Sequence, residues 1–385
     1  MEIKKKVKVA YIVNNAAFFI SHRLSIIREA KKKGFDAKVF FGRPGSLTLD
    51  KKTIQIFSKY KINHKELPFN TTISNPILEL IGLVSLYHHI RKFNPDIIHM
   101  ISPKGIFYGT IVSLFVKTNK NILSFSGLGN IFSINRSIKD IIVKKIYIFI
   151  LRNIIQRNII SIIVQNRDDY KIVHKDLNIN KKNIHLILSS GIQVNNKSKV
   201  NLKNKKPIVL LPARIVIEKG IIEFCKAAEI LKMKYPKWKF YLAGTLDYSS
   251  QSKIDFLYLD NLHKRQIINL MGHVENMKTL YQKVSIVCLP SYREGFPKCL
   301  IEAASEGCAV LTSNVTGCKD AIIKGKTGDL FEVKNTSDLT KKIERLILDR
   351  KRREKYAKNG FMFSKQFDIQ KIVNKNISIY NEVKS

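Results

Sequence analysis

The sequence predicts an α/β protein made of two Rossmann-like parallel-sheet domains, and three features of the chain carry that prediction. Short apolar runs alternate with longer helix-spaced segments, as in VKVAYIV (7–13), then HRLSIIREAKKKG, then DAKVFF (36–41). The same rhythm restarts later with PIVLLPAR, IIEFCKAAEILKMK and WKFYLAG, which is the βαβ signature of parallel strands covered by helices. At 385 residues the chain is also too long for one ordinary core.

Taken in order, MEIKKKVKVAYIV passes from lysines into only a short apolar run. That run reads as a first strand rather than the core of a signal peptide. The stretch 140–164, DIIVKKIYIFILRNIIQRNIISIIV, is the most apolar of the chain, yet Lys144, Lys145, Arg152 and Arg157 interrupt it. A spanning helix is therefore excluded. Two readings stay open: a buried helix followed by the strand SIIVQ, or partial contact with a bilayer surface. The segment VNNKSKVNLKNKKP has almost no apolar content and reads as a linker. Beyond it, IINLMGH, VSIVCLP and AVLTS continue as strands. Residues 338–358 read as one helix with a basic face, and FDIQKIVNKNISIYNEVK as a closing helix.

The hydrophobic fraction of 45% and charged fraction of 25% are those of a folded globular protein. The net charge of +38 is the extreme quantity. Residues 1–200 hold 34 Lys and Arg against 11 Asp and Glu, and the remainder 34 against 19. Such an excess attracts polyanions, either anionic lipid or nucleic acid, although lysine-rich surface filling accounts for part of it. The five cysteines are odd in number, form no CxxC pair and all lie in the second half, which suits a reducing compartment with small buried thiols.

Chemistry concentrates in REGFPKCLIEAASEG (293–307). Gly295 and Pro297 turn the chain directly after a strand, and Pro297 is placed to occupy the first position of the next helix. Exposed N–H groups there would hold an anion or hydroxyl. Glu294 and Glu302, eight residues apart, would both reach one crevice, where carboxylates accept hydrogen bonds from neutral hydroxyls. In PARIVIEKG, Arg214 follows a strand and Lys219 with Gly220 opens a helix, a placement that suits a diphosphate.

PARIVIEKG, the Glu-x7-Glu spacing in EGFPKCLIE, GCAVLTSNVTGCKDAI and GKTGDLF resemble the nucleotide-sugar-binding half of glycosyltransferase family 4. These are retaining enzymes of the two-domain GT-B fold, whose domains face a central cleft. NNAAFFISHRLSIIREAKKKGFDAKVF and SFSGLGNIF resemble members that extend lipid-linked glycans of bacterial surfaces. The resemblance implies an acceptor-binding domain over 1–195, a linker over 196–206, a donor domain over 207–365, and a C-terminal helix over 366–385 returning toward the first domain. It implies that Arg214 and Lys219 hold the donor diphosphate, that Glu302 binds the ribose hydroxyls, and that Glu294 lies near the transferred sugar. Gly295, Phe296, Pro297 and Lys298 would border the same ligand. No metal or other cofactor is expected, and the sequence contains no Asp-x-Asp.

Two departures from the family pattern concern the first half. The loop NNAAFF lacks the family's glycines, so Asn14, Asn15 and Ala16 would approach the ligand without glycine's freedom. Many relatives carry a histidine after the strand that reads PDIIHMISPK here; His99 is nearest, while Pro103 stands at the family's histidine position with Lys104 beside it. His22 and Arg23, read as opening the first helix, are further acceptor-side candidates.

The resulting expectation is transfer of an N-acetylhexosamine or hexose from a nucleotide-sugar, UDP-linked by preference, to a lipid-diphosphate-linked acceptor. The site of action is the inner face of the cell membrane, with an anionic surface contacted through Lys144, Lys145, Arg152 and Arg157. The alternative is a basic nucleic-acid-binding protein, although no recognisable nucleic-acid module appears. A dinucleotide-binding dehydrogenase fails because SGLGNIF supplies only GxG.

Overall fold

The computed structural model describes residues 6–43, 47–70, 75–116, 120–128, 159–194, 200–246 and 254–384, with 141, 142, 145, 148, 149 and 152. The chain divides into two units, Met1–Ser190 with Gln370–Ser385, and Gly191–Ile369.

The first unit carries seven parallel strands: β1 (Lys8–Asn15), β2 (Asp36–Arg43), β3 (Asn63–Asn70), β4 (Ile97–Ile101), β5 (Asn121–Phe125), β6 (Ile159–Val164) and β7 (Ile184–Leu186). They lie in the order β3-β2-β1-β4-β5-β6-β7. β4 and β5 are buried at every residue, as strands covered on both faces must be. Residues 159–164 thus form a strand, while Lys144 and Arg157 lie outside the described residues. Among the described residues no helix is long and apolar enough to cross a membrane.

The second unit carries β8 (Lys206–Pro212), β9 (Lys239–Ala243), β10 (Asn269–Gly272), β11 (Val284–Leu289), β12 (Ala309–Ser313) and β13 (Gly328–Phe331). Their order is β10-β9-β8-β11-β12-β13, again all parallel. Its core packs Leu211, Phe224, Phe240, Leu242, Ile286 and Leu311 between sheet and helices. Strand order reverses beside β1 in the first sheet and beside β8 in the second. Ligands of such sheets bind outside the carboxyl ends of strands at the reversal.

Two expectations, the single helix over 338–358 and the free linker, need correction. Residues 338–358 form two helices, Thr336–Leu348 and Arg350–Ser364, because Asp349 leaves the first and caps the second by accepting from the Arg352 N–H. Residues 200–205, read as linker, are fastened to the second unit: Lys205 Nζ donates to the carbonyls of Tyr281 (2.7 Å) and Glu306 (2.8 Å). The closing helix runs Ile369–Lys384, and its Tyr380 is fully buried in the first unit, packed on Tyr11, Phe35 and His99.

Candidate functional site

The β8–β11 reversal brings the two sequence motifs together. β8 ends at Pro212, and the chain then crosses toward β9 through hydrogen bonds from the Ala213 N–H to the Ala243 carbonyl and from the Ile215 N–H to the Thr245 carbonyl. Arg214 stands between them with an exposed side chain. A single 3-10 turn, Ile217–Lys219, follows, and Gly220 at φ 70° starts the helix Ile221–Lys234. A Cβ on Gly220 would lie 2.2 Å from the Pro290 carbonyl oxygen. Only glycine therefore allows the turn bearing Lys219 to press against the loop after β11.

That loop is built around Glu294. Its Oε1 accepts from Lys219 Nζ at 2.5 Å and from Ser291 Oγ at 2.7 Å. Oε2 takes no hydrogen bond among the described residues. The backbone N–H of Glu294 donates to the Thr316 carbonyl at 3.1 Å. Gly317, at φ 79°, sits so close that a Cβ would meet the Glu294 carbonyl oxygen at 2.3 Å. Ser291, Thr316 and Gly317 were not singled out by sequence reasoning; the trace of the clamp is the Thr-Gly pair within GCAVLTSNVTGCKDAI.

Pro297 is the N-cap of the helix Lys298–Ser305 rather than its first residue, with φ −76° and ψ 97°. Being proline, it offers no side-chain cap, so the first N–H groups of the helix keep their capacity to bind an anion. Phe296 is buried, its ring 5.3 Å from that of Phe367, and so anchors the turn that Gly295 opens. Glu302 lies one turn into the helix, with Lys298 Nζ 3.5 Å away. Burial pushes its carboxyl above the usual carboxylate range, against the pull of Lys298. Cys299 lies within the field of both carboxylates; burial first, then Glu294 and Glu302, push its thiol up. Arg214, Lys219, Glu294, Gly295, Phe296, Pro297, Lys298 and Glu302 thus occupy two loops and one helix start at a single strand-order reversal.

The acceptor-side candidates are arranged differently. The first helix starts at Ala16, capped by Asn15 Oδ1 accepting from the Phe18 N–H. His22 and Arg23 therefore sit in its second turn and do not open it. Asn15 has φ −143°, ordinary extended backbone, so this loop has no need of a glycine there. His22 stacks on Phe18 and its Nδ1 meets Ser21 Oγ and the Phe18 carbonyl. Arg23 is 2% exposed, and burial lowers its pKa to about 10. Lys104 pairs with Glu79 at 2.8 Å.

His99, proposed from sequence at a strand end, is inside. It is 0% exposed, with Nδ1 2.6 Å from Tyr380 Oη and Nε2 2.6 Å from Ser124 Oγ. Burial holds its pKa well below the ordinary value of 6.5. Both ring nitrogens are occupied, which makes it an interior polar anchor. Among the described residues there is no group of three or more His, Cys, Asp or Glu able to hold a metal ion.

Comparison with known proteins agrees with this architecture. Residues 193–362 match the family model described as glycosyl transferases group 1. Residues 8–165 match that described as glycosyl transferase 4-like. The chain is 28% identical over 342 residues to N,N'-diacetylbacillosaminyl-diphospho-undecaprenol alpha-1,3-N-acetylgalactosaminyltransferase of Campylobacter jejuni, covering 82% of this chain and 84% of that one. It is likewise 28% identical over 298 residues to the capsular polysaccharide biosynthesis glycosyltransferase CapM of Staphylococcus aureus, covering 73% and 74%. In fold it is similar to Anabaena HepE, solved in complex with UDP, with a TM-score of 0.76 at 14% identity over 98% of this chain and all of that one. With one family model on each unit and the two parallel sheets of the GT-B fold, the chain belongs to the group 1, family 4-like glycosyltransferases.

Proposed function

We propose that the protein is a retaining glycosyltransferase that moves an N-acetylhexosamine or hexose from a UDP-linked donor to a lipid-diphosphate-linked glycan in bacterial polysaccharide or glycoconjugate synthesis. The carrying observation is the Lys219–Glu294 pair at the β8–β11 reversal, flanked by Arg214 and the helix start at Lys298. An ammonium has three donors, and Glu294 takes one from Lys219. The remaining donors, the Arg214 guanidinium and the helix N–H groups suit a diphosphate whose charge grows as the sugar departs. Glu302 suits the ribose hydroxyls, and Oε2 of Glu294 suits a hydroxyl of the transferred sugar. No separate cofactor enters this reading.

Residues 207–365 then serve the donor and residues 1–195 the acceptor, with His22, Arg23 and Lys104 as acceptor-side positions. His99 acts there only by supporting the fold. The name of the Campylobacter relative supports a diphospho-undecaprenol acceptor, and family membership favours transfer over nucleic-acid binding. Work on such an acceptor places the protein peripherally on the inner face of the cell membrane, where its charge of +38 favours anionic lipid. The test is UDP release from a panel of UDP-sugars, with and without an undecaprenyl-diphosphate-linked acceptor. Acceptor-dependent release with one sugar supports the proposal, and release with none of them refutes it.

A further inference from the structure

We infer that the outward face of the helix Pro76–Phe93 is a docking surface for an anionic lipid bilayer. This deepens the proposed peripheral attachment and rests on it. The inward face packs through Gly82, Leu86 and Ile90, with Gly82 so close that a Cβ would meet Phe69 Cβ at 2.9 Å. The outward face is apolar as well: Ile77, Leu80, Ile81 and Val84 are 70%, 63%, 49% and 48% exposed. Their spacing of three, one and three residues makes one stripe along a helix. Phe115, 70% exposed, extends the patch, with its ring 6.5 Å from that of Tyr87. Single exposed apolar residues are ordinary, but a contiguous stripe is not. A helix apolar on both faces is one whose outer face also leaves water.

Charge selects the occupant. Farther along the same face His88, Arg91 and Lys92 are exposed, while the helix's one acid, Glu79, is held by Lys104 and Tyr108. The outward surface is therefore apolar at one end and cationic at the other, the pattern of a helix lying in a bilayer interface. A second copy of this chain suits it poorly, because 68 basic residues against 30 acidic ones make like faces repel. An anionic leaflet accepts the stripe and the cations together, each cation strengthening attachment about fivefold.

The test uses the full chain with phosphatidylglycerol-rich and pure phosphatidylcholine vesicles. One variant replaces Ile77, Leu80, Ile81 and Val84 by Ser; a second, Leu80→Trp, keeps the face apolar and reports its surroundings, since the native Trp238 is buried. The parent should sediment with phosphatidylglycerol vesicles, and the serine variant about tenfold or more less well, with an unchanged melting temperature. Leu80→Trp emission should shift to the blue on adding those vesicles. Equal sedimentation of parent and serine variant overturns this surface but leaves peripheral attachment standing. No sedimentation of the parent overturns both, without touching the UDP-release test. A blue shift that grows with protein concentration in the absence of vesicles overturns the proposal in favour of self-association.

Discussion

The two sheets share a 3-2-1-4-5-6 strand order, to which the first adds β7, and their carboxyl edges carry different chemistry. Beside β8, the loops bring Arg214, Lys219, Glu294 and an uncapped helix start to the edge, held by glycines at 220 and 317. Beside β1, Asn15 caps its own helix and Lys104 is engaged with Glu79, while His99 lies back inside β4, sealed between Tyr380 and Ser124. Topology thus says where a site can be, and the loops decide which chemistry the edge presents.

The strongest test of this contrast is removal of the donor-side cations. On the proposed assignment, Lys219→Ala and Arg214→Ala should each lower UDP-sugar turnover about 30- to 1000-fold, because both would stabilise charge that develops as the diphosphate leaves. Circular dichroism should stay unchanged, and rates on purified variants check the loss. A smaller effect, about 10- to 100-fold, is expected at the carboxylates. Glu302→Gln should weaken UDP binding itself, whereas Glu294→Gln, which also loosens Lys219, should lower kcat more than affinity. Calorimetry beside steady-state rates separates the two.

On the other edge the expected change is in stability. His99→Phe leaves the buried Ser124 hydroxyl without its partner and removes one of the two partners of the Tyr380 hydroxyl, which still donates to Tyr11 Oη, at a cost of about 1–3 kcal/mol, with kcat of the folded variant unchanged. Urea unfolding and rates below the transition check this, and a 100-fold fall in kcat would restore His99 to the chemistry. The pH dependence follows in sign. His99 is held neutral in the folded state, with its pKa well below 6.5, so the unfolded chain takes up a proton first as pH falls. This contribution to stability is fully present above about pH 6.5 and declines below it, by at most about 1.4 kcal/mol per pH unit. His99→Phe should flatten that slope in unfolding measured from pH 7.5 to 5.

Much of this was legible in the sequence, for physical reasons. The strands before the donor loops are largely apolar runs, Gly220 marks a turn that no side chain fits, and Gly295 and Pro297 mark the break before the next helix. The clamp on Glu294 was only partly legible: Ser291 is local, three residues before it, but Thr316 and Gly317 reach it from the loop after the neighbouring strand, a contact that spacing does not encode. His99 misled because it was read as a strand end. It lies inside IIHMI, a run buried throughout in a central parallel strand, where any side chain is interior. Arg23 is hidden for a similar reason: four residues after Phe19 and three before Ile26, it falls on the helix face that packs inward.

The central claim is that the β8–β11 edge, and not the β1–β4 edge, holds the nucleoside diphosphate. Titration calorimetry of UDP into the parent, Lys219→Ala and Lys104→Ala tests it most directly. The expected result is one UDP per parent chain, at least about tenfold weaker binding to Lys219→Ala, and parent-like binding to Lys104→Ala. Parent-like UDP binding by Lys219→Ala, or its loss in Lys104→Ala, would contradict the assignment.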